Sequence, residues 1–208
     1  MRDEDPYEKE QNLIPASLQF LNEAEWHAAP PVWRFSADIL EVVTGNKTDF
    51  WQDTIYGFHR DNGHFYGAKT EGDFTAVVTF DGQYEVLYDQ IGMMMRVDAQ
   101  NWLKTGIEFS DGATNFSAVI TRDGRSDWSV MAVPRVSGLQ HVRLTRIGDA
   151  IIVHFLNSRG AWQLLRLGDF RAPSAVRLGP MACSPEREGL QARFLGFEVG
   201  PAVSKPLH

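Results

Sequence analysis

The chain has 208 residues, 20 of them basic and 27 acidic, and its formal net charge of −7 argues against nucleic acid or an anionic membrane as a partner. The single cysteine, Cys183, cannot form an internal disulfide, and no apolar run of about 18 residues provides a membrane span. The polar N-terminal residues lack the apolar stretch of an ordinary secretory signal, so cytoplasmic residence is expected.

The pattern along the chain predicts one β-rich domain. Residues 1–19 are expected to form an N-terminal extension, residues 20–201 the domain, and residues 202–208 a C-terminal tail. Within the domain, short segments of alternating apolar and polar residues are separated by turn signals, which is typical of a sandwich or a barrel. Strands are predicted at residues 73–80, 83–88, 93–98, 102–109, 116–121, 128–133, 142–147, 151–156, 162–167 and 193–199.

Turn residues and one helix signal divide these segments. Three Asp-Gly pairs, at residues 81–82, 111–112 and 123–124, predict tight hairpin turns, because Asp-Gly readily takes the positive φ angles that such turns need. Residues 184–189 predict a single helical turn with Ser184 as its cap. Alternation places Phe74, Ala76, Val78 and Phe80 on one core face, and Leu103, Ile107 and Phe109 on another.

Several sequence blocks occur in an order that resembles a known family. They lie at residues 46–51, 56–58, 60–65, 88–94, 96–98, 101–108, 126–129 and 179–186. Together they resemble the regulation-of-enolase-protein family, a domain of unknown function in the concanavalin A-like lectin/glucanase superfamily. The resemblance implies an all-β, two-sheet antiparallel jelly-roll sandwich, whose concave sheet holds carbohydrate in relatives with known ligands. It implies no catalytic residue, and its enolase link suggests a protein-modulating role in one member.

Signatures of common enzyme chemistries are absent from the sequence. The compact carboxylate triplet of the superfamily's retaining glucanases does not occur, although Asp89 and Glu108 could form a dispersed pair across neighbouring strands. Zinc, nucleophile and phosphate-binding motifs are missing too, so no catalytic residue, metal or cofactor is expected. Cys183, without a nearby histidine in the sequence, is interpreted as a small buried residue.

The strand at residues 102–109 carries the main candidate site. Trp102, Lys104 and Glu108 share the face opposite its apolar residues, with Gly106 between them. A tryptophan beside charged groups and a bare glycine suits the stacking and hydrogen bonding of a sugar ring. The alternative is a solvated sheet face on which the charged residues stabilise cross-strand neighbours.

Further candidate ligand-binding residues surround this stripe. Asp89, Gln90 and Arg96 are expected on or beside the neighbouring strand. His59 and His64 lie in a segment with Asp61 and Asn62 that could hold a cation or a sugar, although Asp and Asn near Gly more often close a turn. Trp51, Trp128 and Trp162 are alternatives for stacking, or they fill the core or its rim.

Three functions follow from these observations. The first is a non-catalytic binding domain whose concave face holds a carbohydrate or a similar small polar ligand. The second is an intracellular protein-interaction or regulatory module with a protein partner. The third, less expected, is a glycoside hydrolase with a dispersed carboxylate pair, and fold analogy is a weak warrant for it.

Overall fold

The computed structural model describes residues 17–36, 38–133 and 138–207. A short 3-10 helix (Gln19–Glu23) precedes the strands. In chain order these are β1 (Glu25–Trp26), β2 (Val32–Phe35), β3 (Leu40–Val43), β4 (Phe50–Gln52), β5 (His59–Asp61), β6 (His64–Glu71), β7 (Phe74–Gly82), β8 (Gln90–Arg96), β9 (Trp102–Ser110), β10 (Ala113–Arg122), β11 (Arg125–Ala132), β12 (Gln140–Ile147), β13 (Ala150–Leu156), β14 (Trp162–Asp169), β15 (Ala175–Cys183) and β16 (Gln191–Gly200).

The strands form two seven-stranded antiparallel sheets and a separate hairpin. The front sheet has the spatial order β1-β6-β15-β8-β9-β10-β11, and the back sheet has the order β14-β13-β12-β7-β16-β3-β2. Strands β4 and β5 pair only with each other. The all-β, two-sheet antiparallel sandwich predicted from the sequence is confirmed. Among the described residues, no helix has the length and apolar character needed to cross a membrane.

The main core lies between the two sheets. It contains Phe74, Ala76, Val78 and Phe80 of β7 and Leu103 and Ile107 of β9, as the alternation predicts. Phe109 differs from the prediction, because it is only half-buried and lies outside this cluster. Leu18 and Leu21 also pack into the core. The domain bounds at residues 20 and 201 stay a prediction.

Two of the three predicted Asp-Gly turns are confirmed. Asp111-Gly112 joins β9 to β10 and Asp123-Gly124 joins β10 to β11, each with positive φ at both residues, as type I′ turns require. The prediction for Asp81-Gly82 is wrong, because both residues lie in β7 and pair with β16. A Cβ on Gly82 would lie 2.1 Å from the Ile91 side chain, so this glycine serves close packing.

Two other local predictions are also wrong. Residues 83–88 form a loop instead of a strand, because the Asp89 carboxylate accepts the backbone N–H groups of Glu85 and Val86 at 2.9 and 3.0 Å. Residues 184–189 form no helical turn. The Ser184 hydroxyl bonds Thr44 at 2.6 Å instead of capping a helix.

A second, smaller apolar cluster lies on the outer face of the front sheet. It consists of Phe50, Phe65, Met94, Trp102, Val119, Met181 and Cys183. The β4–β5 hairpin covers this cluster, so β8 and almost all of β9 are buried on both faces. Met93 and Met95 enter the main core, while Met94 enters the second cluster. Cys183 is free and buried, as expected.

Candidate functional site

A pocket of about 220 Å³ opens between the outer face of the front sheet and the β4–β5 hairpin. Its floor is formed by β8 to β11, one wall by the hairpin and the segment before it, and the opposite wall by the loops at Tyr88 and Pro185. The lining residues are Lys47, Asp49, Trp51, Tyr56, Phe58, Arg60, Tyr88, Gln90, Lys104, Glu108, Val119, Trp128, Pro185 and Glu186.

Strand register brings the floor residues together. Gln90 of β8 pairs with Glu108 of β9, and Val119 of β10 pairs with both Lys104 and Trp128 of its neighbours. Because side chains alternate along a strand, these residues share the outer face.

A pair of glycines lies between Lys104 and Glu108 on the floor. Gly92 pairs with Gly106, and a Cβ on either would lie 2.0 or 2.1 Å from a backbone oxygen of the neighbouring strand. Only glycine therefore fits at these two positions, and the floor carries a bare strip between its charged residues.

Lys104 is buried at the floor in an ion pair with the segment before the hairpin. Its Nζ donates to Asp49 Oδ1 at 2.9 Å, and its side chain is 3% exposed. Burial by itself lowers the pKa of Lys104, but the negative charge of Asp49, with a smaller contribution from Glu108, leaves the pKa above its ordinary value. The lysine is therefore a charged group whose partner is already present.

Glu108 is the second buried charged group, and it lacks a direct cationic partner at bonding distance. Burial raises its pKa above the ordinary value, although Lys104 and hydrogen bonds from Ser117 and Trp128 oppose this shift. The indole N–H of Trp128 donates to Glu108 Oε2 at 3.1 Å. Glu108 is therefore protonated at a higher pH than an ordinary glutamate.

Aromatic side chains form the upper walls of the pocket. Trp51 donates its indole N–H to the Thr54 carbonyl at 3.0 Å, and the N–H of Trp128 is held by Glu108. The Trp51 and Tyr56 ring centres are 5.8 Å apart, and those of Tyr88 and Trp128 are 6.4 Å apart. Because both indole N–H groups are satisfied, the indole faces are the parts left to contact a ligand.

Three of the residues predicted from the sequence line this pocket, namely Gln90, Lys104 and Glu108. Trp102 does not, and the stacking role expected for it is contradicted by its complete burial. Its ring packs at 5.9 Å from Phe50 of the hairpin, and its N–H donates to the Ala99 carbonyl. The hairpin covers this end of β9, so Trp102 supports the site from below.

Asp89 and Arg96 are also held by other parts of the protein. Asp89 is fully buried and accepts two hydrogen bonds from Arg187, at 2.9 and 2.6 Å. It therefore forms no carboxylate pair with Glu108 across the pocket. Arg96 makes a two-point ion pair with Asp61 at 2.8 and 2.9 Å, which fixes β5 to the front sheet.

The segment from His59 to His64 is structural. His59 is exposed and bonds the Gln52 side chain. The buried ring of His64 lies between the Ala28 carbonyl and the Gly45 N–H, and burial lowers its pKa. The Asn62 side chain accepts from the Asp49 N–H at 3.1 Å and therefore ties the end of β5 to the residue before β4 instead of closing a local turn. Within residues 17–36, 38–133 and 138–207, no three His, Cys, Asp or Glu residues are grouped to hold a metal ion.

Sequence reasoning missed several residues of the pocket wall. Asp49, Tyr56, Phe58 and Tyr88 belong to sequence blocks noted for their family resemblance, but no alternation pattern places them. The sequence indicates Trp51 and Trp128 only as alternatives for stacking. The sequence signal for the hairpin wall is the high proportion of aromatic residues within residues 50–58.

The fold is a two-sheet antiparallel jelly-roll sandwich with a pocket on the outer face of its front sheet. Two solved structures with low sequence identity share this fold. A mutant of the GH43 protein BlXynB from Bacillus licheniformis superposes with a TM-score of 0.67 at 13% identity, over 85% of this chain and 36% of that one. The carbohydrate-binding module CBM66 from Bacillus subtilis superposes with a TM-score of 0.57 at 13% identity, over 86% and 96%.

Sequence comparison gives the family. Residues 26–202 match the family described as "Protein of unknown function (DUF1349)", and the chain belongs to that family. It is 39% identical over 196 residues to "Regulation of enolase protein 1" of Saccharomyces cerevisiae, covering 94% of this chain and 98% of the relative. A crystal structure of a functionally unknown protein from Saccharomyces cerevisiae matches with a TM-score of 0.84 at 38% identity, over 88% and 99%. The family resemblance expected from the sequence is confirmed.

Proposed function

We propose that this protein is a non-catalytic binding domain that holds a small carbohydrate, or a similar uncharged polyhydroxylated ligand, in the pocket under the β4–β5 hairpin. The observation that carries the proposal is the combination of two anchored indole rings, Trp51 and Trp128, above a polar floor. A sugar ring has apolar faces that stack on aromatic rings and hydroxyls that need hydrogen-bond partners. The pocket offers both kinds of contact.

The charges of the floor favour a neutral ligand. Lys104 is already neutralised by Asp49, so it offers donor hydrogens without a free positive charge. Burial raises the pKa of Glu108 and so disfavours its charged form, and its Oε2 already accepts the Trp128 N–H. A strongly anionic or cationic ligand would have to break the Lys104–Asp49 pair or compete with it.

Pocket size favours a single ring. Its volume of about 220 Å³ is below the roughly 300–1,000 Å³ typical of ligand pockets. A monosaccharide, or one terminal ring of a longer molecule, is therefore the proposed ligand.

The carboxylates of the pocket support binding over glycoside hydrolysis. Such hydrolysis needs two carboxyl groups free to act as acid and as nucleophile or base. The carboxyl groups that line the pocket are those of Asp49, Glu108 and Glu186. Asp49 is committed to Lys104, and Asp89, which lies outside the lining, is committed to Arg187 and is not available to Glu108 as a second carboxylate. The GH43 neighbour is matched over only about a third of its length. Cytoplasmic residence is part of the proposal, supported by the free, buried Cys183.

A thermal-shift screen with a panel of neutral monosaccharides tests this function, because a ligand that binds the native state raises its melting temperature. Calorimetry on the best ligand should show binding about three- to tenfold weaker in Trp51→Ala. Trp33→Ala is the matched control, since Trp33 is an exposed tryptophan outside the pocket. No stabilising sugar in the panel, or equal weakening in both variants, would contradict the proposal.

A second candidate function is a protein-interaction module. The observation that favours it is the 39% identity to a protein named "Regulation of enolase protein 1". Ile55, Tyr56 and Phe58 are exposed in the hairpin loop and offer an apolar contact surface. Sedimentation of the purified protein with purified enolase is the direct test, and Ile55→Asp should abolish a complex made through this loop.

A further inference from the structure

Gln90 lies on the floor of the pocket with a side-chain amide that is open to a ligand. The residue is 5% exposed and lines the pocket, so the surface that it retains faces the cavity. Among the described residues, none forms a hydrogen bond with this amide, which is accessible from the cavity, unlike the enclosed indole N–H of Trp162. An amide has two donor hydrogens and an acceptor oxygen, and burying it without partners costs free energy.

Gln52, a second buried glutamine, has an amide with a structural role. It is 4% exposed and lies in β4, outside the pocket lining. Its Nε2 donates to the Arg60 carbonyl at 3.3 Å, and its Oε1 bonds the His59 ring. The two glutamines are equally buried, but only the amide outside the pocket holds parts of the protein together.

Strand register places the carboxyl group of Glu108 beside the Gln90 amide. The two residues are directly opposed, and opposed residues have Cβ atoms about 4.5–5.5 Å apart. Glu108 Oε2 accepts the Trp128 N–H, and a carboxyl group has further lone pairs. The next side chain of this row, Asn115, donates to the Ser110 carbonyl and is not part of the lining. The row therefore offers a ligand an amide and a carboxyl group, side by side.

Two hydroxyls on adjacent ring carbons match this pair of groups. A hydroxyl both donates and accepts hydrogen bonds, so one can accept from the Gln90 amide while its neighbour donates to Glu108. An apolar ligand would leave both groups unpartnered, at a cost in affinity. The Trp128 indole, oriented by its bond to Glu108, lies beside the pair and can stack on the ring that carries the hydroxyls.

We infer that Gln90 and Glu108 recognise a vicinal diol of the ligand, and that Gln90 is a specificity-determining residue of the pocket. Within the proposed binding site, on which this inference rests, the ligand is thus narrowed to rings that carry hydroxyls on adjacent carbons. The Gln90 amide serves binding and not folding.

The first part of the test needs no ligand. Gln90→Met replaces the amide with an apolar side chain of similar length and should melt at or above the wild-type temperature, because no intramolecular hydrogen bond is lost. Gln52→Met is the matched control and should melt about 2–4 °C lower, the shift expected for a lost hydrogen bond in a domain of this size. Gln90→Leu is the second variant without the amide. A decrease in both Gln90 variants as large as that in Gln52→Met would overturn the inference.

The second part measures binding by calorimetry. The probes are the methyl pyranosides of D-glucose, D-mannose, D-galactose and D-xylose, in which the methyl group blocks the anomeric hydroxyl. Their 3-deoxy analogues have no two hydroxyls on adjacent carbons, whereas the 2-deoxy and 4-deoxy analogues keep such a pair. For the probe that binds most tightly, the 3-deoxy analogue should bind the wild type about three- to tenfold more weakly, the range for one hydrogen bond. The 2-deoxy or the 4-deoxy analogue should keep the affinity.

Gln90→Met should bind the same probe about three- to tenfold more weakly than the wild type does. At least one deoxy analogue that is weakened in the wild type should bind Gln90→Met as tightly as its parent sugar, because the hydroxyl that it lacks no longer has a partner.

Equal affinity of the wild type for the 3-deoxy analogue and its parent sugar, or an unchanged affinity in Gln90→Met, would overturn the inference and leave the pocket proposal intact. If none of the four probes binds, the pocket proposal itself is contradicted, and recognition of a diol with it.

Discussion

The outer face of the front sheet has two halves that differ in what covers them. In one half, Trp102 is sealed under Phe50 of the hairpin and belongs to an apolar cluster. In the other half, Lys104 and Glu108 lie under a hollow cover of aromatic rings. Both halves use the same strands and the same alternation. The path of the β4–β5 hairpin, and not the residue pattern of β9, therefore decides which part of the face is available to a ligand.

Truncation of Trp102 should give the largest effect on stability. Trp102→Ala removes a fully buried ring and should lower the free energy of unfolding by about 3–5 kcal/mol. Trp128→Ala, on the partly exposed wall of the other half, should cost much less. Urea denaturation of both variants measures the contrast. Similar losses of unfolding free energy in the two variants would contradict the difference in packing between the two halves.

Breaking the ion pair at the boundary of the halves should have the next largest effect. Lys104→Met leaves Asp49 without its partner and should lower the free energy of unfolding by about 2–3 kcal/mol. This loss is smaller than that for a fully buried ion pair, because the Asp49 side chain is 14% exposed. The double variant with Asp49→Leu should recover part of this loss. Urea denaturation of the single and double variants gives the interaction free energy between Lys104 and Asp49. Losses of unfolding free energy that simply add up in the double variant would contradict a direct interaction.

A smaller effect is expected from the titration of Glu108. Burial raises the pKa of this carboxyl, so the folded state binds its proton more tightly than the unfolded state does. The free energy of unfolding of the wild type, relative to Glu108→Gln, should therefore rise as pH falls from neutral through the raised pKa, and level off below about 4.5, the pKa of an ordinary glutamate.

Denaturation of the wild type and Glu108→Gln at several pH values measures this difference. A difference that falls with decreasing pH would indicate that Glu108 is stabilised as a carboxylate. Glu188→Gln is the matched control for the loss of a glutamate, because Glu188 is exposed and lies outside the pocket.

The elements that could be predicted from the sequence are those set by local pattern. Alternation predicts β7 and β9. The Asp-Gly pairs predict the turns at Asp111 and Asp123, where both residues of each pair have positive φ. The alternation pattern failed where a specific side-chain contact decides the backbone conformation. The Asp89 carboxylate turns residues 83–88 into a loop, and close packing against Ile91 explains Gly82 within a strand.

The candidate site was predictable only in part for the same reason. Lys104, Glu108 and Gln90 follow from alternation and cross-strand register. The cover does not, because β4 and β5 have three residues each and carry almost no periodic signal. Their placement depends on long-range pairs such as Arg96 with Asp61, which no spacing in the sequence reveals. Alternation alone therefore groups Trp102 with Lys104 and Glu108, although the hairpin seals it in the other half.

The most direct test of the account is to follow the indole N–H signals of the six tryptophans by NMR while the best ligand of the sugar panel is added. Each signal is assigned by its loss in a single Trp→Phe variant. The account predicts that the signals of Trp51 and Trp128 shift with saturation at one ligand per protein, while those of Trp102 and Trp162 stay in place. A saturable shift that leaves Trp51 and Trp128 unmoved and appears elsewhere would contradict it.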